Sequence, residues 1–277
     1  MTIHFHGSPI TGGKGDLMAR TAYRGSGAFV SYAHPRQINL ALEVADAVCI
    51  DNGAFSKKNT GKETDWKGFY EKFLPRFIDH EKLRFFVIPD DIGGDDAEND
   101  RLIMELPDHL KHKGAPVWHL HESIDRFVHL ANEWEYVCIG SSGEYYSVRS
   151  EKWRKRMDDA FNAIAQKGYS AKIHGLRMLD GRVLGNYPLD QADSTNLAIN
   201  APKWLCKHVA MTIESCRMQT HPSRWADTSD PKQALELLIQ SGGTKEEMLA
   251  QRCAILKSCV EAVKPPSLSD WLNSTNC

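Results

Sequence analysis

The chain has 277 residues, 42% hydrophobic and 25% charged, with 34 Lys and Arg against 36 Asp and Glu. The formal net charge of -2 excludes a globally cationic nucleic-acid coat but leaves room for a local basic groove, and the steady supply of Trp, Phe, Leu and Ile excludes disorder over most of the length. No apolar run approaches the ~20 residues of a membrane span, and the opening Met1–Pro9 has neither the basic head nor the apolar stretch of a signal peptide.

Short apolar runs alternate with amphipathic stretches along the chain. Ile3–His6 reads as a first strand and Ala47–Asp51 as a second, with Gly12–Gly15 and Ser56–Lys62 as loops. Trp66, Phe69, Phe73 and Phe77 recur at helical spacing, followed by a third strand at Arg84–Pro89. Asp95, Asp96 and Asp100 look like a helix N-terminus and its solvated first turn. Pro116–Leu120 is the next strand, then a helical stripe of Ile124, Phe127, Val128 and Ala131, then a strand at Tyr136–Gly140. Trp153, Met157, Phe161 and Ile164 form a third stripe, ended by Gly168, and Ala171–Gly175 is a further strand. Each strand is short, apolar on both faces and closed by Gly, Pro, Asp or His, as buried parallel strands are.

Six or seven strand–helix units in one chain favour a closed (β/α)8 TIM-like barrel over an open sheet. Towards the C-terminus, Asp230-Pro231 and the capping box Thr244-Lys245-Glu246-Glu247 open helices at about 231–241 and 245–262, the second ended by Pro265-Pro266. The expected organisation is a barrel over 1–225 with a C-terminal helical extension, 226–277, packed on it. The seven cysteines, Cys49, Cys138, Cys206, Cys216, Cys253, Cys259 and Cys277, are odd in number and scattered. They read as reduced thiols of a cytoplasmic protein.

Active sites of parallel barrels lie where the strands end. The polar residues at these ends are His4, His6, Asp51, Asp90, Asp91, His119, His121, Gly140-Ser141-Ser142-Gly143, His174, Asp190 and Asp193. Several carboxylates converging on one mouth cost repulsion and desolvation, and suit metals, acid–base work or nucleophiles. Asp51-Asn52-Gly53 also reads as a plain turn, Gly140–Gly143 as a tight strand exit, and His112 and His129 as surface residues. Two chemistries fit. In one, a metal-dependent hydrolase, His4, His6, His119, His121, His174 and Asp193 ligate one or two divalent metals. In the other, a carboxylate attacks the anomeric carbon of a sugar while a second handles protons.

Four segments favour the second. In order, Ile50-Asp51-Asn52-Gly53-Ala54-Phe55-Ser56, Val87-Ile88-Pro89-Asp90-Asp91, Cys138-Ile139-Gly140-Ser141-Ser142-Gly143-Glu144 and Leu189-Asp190-Gln191-Ala192-Asp193-Ser194 resemble motifs of the tRNA-guanine transglycosylase family, over about residues 45–200. Those proteins are α/β barrels that exchange guanine in a nucleic acid for a 7-deazaguanine. The resemblance implies Asp193 as nucleophile and Asp51 as proton carrier. It implies Asp91, with Asp90 as the second choice, on the guanine edge, and Gly140, Ser141, Ser142 and Gly143 on the base. Phe55, His119 and His174 join the substrate-binding set, His119 with His121 standing where the family has a base-binding Gln. His174-Gly175 occupies a Gly-rich strand end of the family.

The family's Cys-x-Cys-x-x-Cys zinc motif is absent. Cys206, His208, Cys216 and His221 stand at other spacings; a structural zinc on them is the disfavoured alternative, and no catalytic metal or other cofactor is expected. The missing motif and the short chain resemble the divergent DNA-guanine transglycosylase branch of phages and bacterial DNA-modification clusters, which inserts a base such as preQ0 into DNA. DNA and a free 7-deazaguanine are the expected partners, with no membrane. Lys203, Lys207, Arg217 and Arg224, interleaved with Trp204 and Trp225, are candidates for gripping the nucleic acid. The denser run of Arg149, Lys152, Arg154, Lys155 and Arg156 reads as a solvated helix face.

Overall fold

The computed structural model describes residues 3–11, 16–55, 65–203 and 243–275. Nine strands lie among them: β1 (Ile3–Gly7), β2 (Gly27–Ser31), β3 (Ala47–Asp51), β4 (Leu83–Val87), β5 (Gly114–Ala115), β6 (Val117–His119), β7 (Tyr136–Gly140), β8 (Lys172–Gly175) and β9 (Gln191–Ser194). They form one all-parallel sheet in the order β5-β4-β3-β2-β1-β9-β8-β7-β6. β5 pairs with β4 and β6 with β7, and only Pro116 separates β5 from β6. Proline has no amide hydrogen to give to a ladder. The segment Gly114–His119 therefore acts as one strand, broken at its middle, that brings the two edges of the sheet together. Eight strand positions result, and the fold is the expected TIM-like barrel with C-terminal helices.

Sequence reasoning missed β2 and β9. Gly27-Ala28-Phe29-Val30-Ser31 is wholly buried, but two small residues weaken its apolar signal. Gln191-Ala192-Asp193-Ser194 carries polar residues because it carries part of the site. Two-residue alternation sorts every strand. Phe5, Phe29, Cys49, Phe85, Val87, Val117 and Cys138 fill the barrel interior, whereas Val30, Ile50, Trp118, Ile139, Ile173 and Ala192 face the surrounding helices.

The helices follow from capped amphipathic segments. Asp95 caps Asp96–Met104 in a capping box with Glu98, Ser123 caps Ile124–Glu133, and Ser150 caps Glu151–Lys167, which Gly168 ends with φ 77°. The aromatic stripe after Trp66 folds less regularly. An α-turn, Trp66–Gly68, runs into a π-turn, Phe69–Phe73, and a 3-10 turn, Leu74–Arg76. Pro75 withholds the amide that would continue an α-helix, while Phe69 stacks on Phe73 beside Tyr32. At the C-terminus, Thr244 and Glu247 form the expected capping box of Lys245–Glu261. That helix buries Leu249, Cys253 and Leu256 with Met18, Ala19 and Ala22 of Leu17–Tyr23. A further helix, Leu268–Thr275, packs Trp271 onto Phe161 and Tyr187. The expected helix at 231–241, and the expected domain boundary between 225 and 226, lie outside the described residues, as do the loops Gly12–Gly15 and Ser56–Lys62. Among the described residues no helix is long and apolar enough to cross a membrane.

Trp153 joins the helix layer to the strand mouth. It is fully buried, stands edge-on to Tyr187, and donates its indole N–H to Ser141 Oγ at 2.9 Å. Trp153→Phe, which keeps the ring packing and removes that donor, should cost about 1–2 kcal/mol in urea unfolding, and Trp153→Ala about 3–5 kcal/mol. Equal losses in the two variants would contradict a role for the hydrogen bond beyond packing.

Candidate active site

A cavity of about 330 Å³ opens at the C-terminal ends of the strands. Asp51 ends β3, Asp90 lies three residues beyond β4, and Asp193 sits in β9; all three line it. So do Phe55, His119, Gly140, Ser141 and Ser142, together with Phe29, Leu176 and Arg177. The cavity thus gathers carboxylates from three separate strands against a largely apolar wall.

Each carboxylate is held differently. Asp193 is buried; its Oδ1 accepts from the Arg177 backbone N–H at 3.0 Å and lies 3.3 Å from His174 Nε2. Asp90 Oδ2 lies 2.8 Å from His119 Nε2, and its Oδ1 accepts from Asn52 Nδ2 at 2.6 Å. Asp51 Oδ2 accepts from the Gly53 N–H at 3.1 Å. Burial pushes the Asp51 carboxyl up to about 7, and the negative charges of Asp193 and Asp90 add to the rise. Hydrogen bonds from Ser31 and the Gly53 amide oppose it.

Two glycines are required by this geometry. Gly53 adopts φ +80°, and a β-carbon there would lie 2.9 Å from the Ala33 nitrogen. A β-carbon on Gly140 would lie 2.7 Å from His119 Nδ1, so glycine makes room for the imidazole that meets Asp90.

Several expectations need correction. Asp91, preferred over Asp90 for the guanine edge, is exposed and turned away, its Oδ1 accepting from Gly93 N–H. Strict alternation from Phe85 and Val87 would carry Asp91 inward, but β4 ends at Val87 and Pro89 turns the chain, so Asp90 points into the cavity instead. Gly143 is exposed and does not line the cavity. His174 is fully buried behind Asp193, stacked on Phe29 at 5.1 Å, and supports the site from beneath. Asp190 stands at the start of β9, at the opposite rim, accepting from Ile173 N–H at 2.8 Å.

His4 and His6 share the outward parity of β1, since Phe5 between them faces the interior. His4 Nε2 meets the Val263 carbonyl at 3.0 Å and His6 Nε2 meets Glu261 at 2.9 Å. They cannot join His174 on one metal. His121 stacks on His119 but turns its Nε2 to the Gly94 carbonyl at 2.8 Å. Among the described residues no cluster of three His, Cys, Asp or Glu side chains could hold a metal ion. Cys206, His208, Cys216 and His221 lie outside them, as do Lys207, Arg217 and Arg224. Lys203 is exposed on the 3-10 turn Ala201–Lys203, beyond β9. Arg156, read as part of a solvated face, instead donates from Nε to the Leu120 carbonyl at 2.8 Å and lies over the Trp118 ring.

Sequence reasoning also missed the groups that hold the mouth together. Asn52 bridges Asp90 and the Ile88 carbonyl, tying the end of β3 to that of β4. Fully buried Glu122 accepts from Asn99 Nδ2, the His119 N–H and Arg126 Nη1, all at 2.7–2.8 Å. Asn99 in turn holds both backbone groups of Asp91. Asp96 and Asp100, read as solvated, clip onto Ser123 and Arg126. In the sequence these are ordinary helix and turn residues; nothing but their spacing in the folded barrel distinguishes them.

A search of protein-family models finds no match for this chain, and no curated protein is significantly similar to it.

Asp51 also carries a stability consequence. Its carboxyl rises from an ordinary 3.8 to about 7, so the folded state holds this proton more tightly than the unfolded one. The stability it supplies is full below the unfolded value and is lost as pH rises through 7. Asp51→Asn removes that loss. The variant should gain about 2 kcal/mol over the native chain between pH 5 and pH 8, after allowance for solvent screening at this half-buried group. A stability difference in urea that is the same at both pH values would contradict the raised carboxyl.

Proposed function

We propose that the protein is a base-exchanging pentosyltransferase that replaces guanine in DNA with a 7-deazaguanine such as preQ0. The observation that carries this reading is the convergence of Asp51, Asp90 and Asp193, from three strand ends, on one cavity with an aromatic and glycine–serine lining. The order of motifs along the chain, with its resemblance to the guanine transglycosylases, supplies the reaction class.

In this reading Asp193 is the nucleophile. Its carboxylate oxygen attacks C1′ of the target nucleotide, and the C1′–N9 bond to guanine breaks as the ester to Asp193 forms. The Arg177 N–H and His174 fix the carboxylate so that one oxygen faces the sugar. Asp51, its carboxyl pushed up to about 7, gives its proton to the departing base. It then takes the N9 proton of the incoming deazaguanine, whose nitrogen attacks C1′ and releases Asp193. Two displacements at one carbon retain its configuration.

Asp90 accepts hydrogen bonds from the guanine N1–H and amino group, steadied by His119 and Asn52. The Gly140–Ser142 segment lies where its amides can meet the base carbonyl, and Phe55 offers a face for stacking. A base paired within a duplex cannot reach such a cavity, so the target nucleotide is flipped out or single-stranded.

The carboxylates should fail differently when neutralised. With guanine-containing single-stranded DNA, Asp193→Asn should form no denaturant-stable protein–DNA adduct and exchange no base. Asp51→Asn should bind DNA yet turn over about two to four orders of magnitude more slowly. Asp90→Asn should lose discrimination for the guanine edge, whereas Asp91→Asn should behave as the native chain. A denaturant-stable adduct formed by Asp193→Asn would sink the assignment.

A further inference from the structure

Arg177 is the only Lys or Arg among the described residues that line the cavity, whose other charged groups are three carboxylates. It forms no salt bridge with any described carboxylate. Its guanidinium instead lies over two aromatic rings, 5.0 Å from the centre of Phe55 and 4.7 Å from that of Tyr146. Both rings are themselves exposed, at 40% and 56%. Ring contacts of this kind do not use up N–H donors, so the guanidinium keeps hydrogen-bonding capacity for a ligand. Its N–H groups form a planar fork suited to two oxygens of one oxyanion.

The backbone sharpens the point. Arg177 has φ 62°, a left-handed conformation that is costly for a residue with a β-carbon. Its N–H is thereby aimed at Asp193 Oδ1, 3.0 Å away. One residue thus orients the candidate nucleophile with its main chain and presents a cation at the rim with its side chain. A sugar placed with C1′ at Asp193 carries its phosphate outward, past this rim. A phosphate entering a mouth walled by Asp51, Asp90 and Asp193 also needs a counter-charge there.

We propose that Arg177 is the phosphate-binding residue of this site, held against Phe55 and Tyr146 to grip the phosphate of the nucleotide whose base fills the cavity. The inference rests on the base-exchange reading for the base and adds the phosphate. It assigns the site a phosphorylated nucleotide unit, within a polynucleotide or free, rather than a nucleoside.

The test compares binding of 2′-deoxyguanosine, 2′-deoxyguanosine 5′-monophosphate and a fluorescent single-stranded deoxyoligonucleotide by the native chain, Arg177→Asn and Arg177→Lys. Asparagine tolerates the left-handed conformation, so the first variant removes the charge while keeping the amide on Asp193. Arg177→Asn should weaken both phosphorylated ligands about tenfold. It should lower the salt dependence of oligonucleotide binding by about 0.7 in the log–log slope, the share of one phosphate contact on a single strand. Nucleoside affinity should stay within twofold, and Arg177→Lys should keep most of the slope.

A mononucleotide bound as tightly as the oligonucleotide identifies the free nucleotide as the phosphate source. An advantage confined to the oligonucleotide identifies the polymer. Equal loss of nucleoside and nucleotide binding in Arg177→Asn would make the residue a structural clamp and overturn the proposal. So would an unchanged salt slope. A chain that exchanges bases with that slope unchanged keeps the base-exchange reading and loses the phosphate assignment. One that binds phosphate through Arg177 and exchanges no base does the reverse.

Discussion

Three carboxylates share one cavity, and their mutual repulsion is the constraint on which the rest of the site depends. Charges of one sign brought together out of water raise each other's proton affinity and strain the fold that holds them. The protein answers with a different partner for each. Asp193 has an amide and an imidazole, Asp90 has an imidazole and a side-chain amide, and Asp51 has the Gly53 amide and the Ser31 hydroxyl. Burial, with the charges of Asp193 and Asp90 beside it, raises the proton affinity of Asp51. The base-exchange proposal gives Asp51 the proton-carrying role for this reason.

The barrel makes this separate support of each carboxylate possible. Parallel strands all end at one rim, so loops from β3, β4, β6, β7, β8 and β9 meet without crossing the core. The polar links run between neighbouring strand ends, from β3 to β4 through Asn52 and from the β4 loop to the β6 loop through Asn99 and Glu122. Beneath them the interior is apolar and tightly filled by Phe5, Phe29, Phe85 and Tyr136 around His174. Rigid support below and polar clips above keep the carboxylates from relaxing away from one another.

Much of this was legible in the sequence, and the reason is alternation. Asp51 and His119 stand at the ends of apolar runs whose parity points inward, so a strand map finds them, whereas Asp193 was reached through the resemblance of its segment to a family motif. The same rule read on β1 excludes His4 and His6 once Phe5 is known to face inward. The reading failed where the strand stops and the rule with it. Beyond Val87 the count no longer decides between Asp90 and Asp91; a proline turn does. Asn52, Glu122, Asn99 and Arg177 carry no periodic signal, because their work is done across loops distant in sequence. β2 and β9 were missed for a related reason: one is rich in small residues and the other carries polar groups of the site.

The central claim is that these carboxylates exchange one base at an intact sugar. The most direct measurement incubates guanine-containing DNA with the protein and isotopically labelled guanine, then analyses the DNA nucleosides by mass spectrometry. The account predicts labelled deoxyguanosine in DNA whose strands remain uncut and without abasic sites. DNA that stays unlabelled, or that loses guanine and gains none, would contradict it.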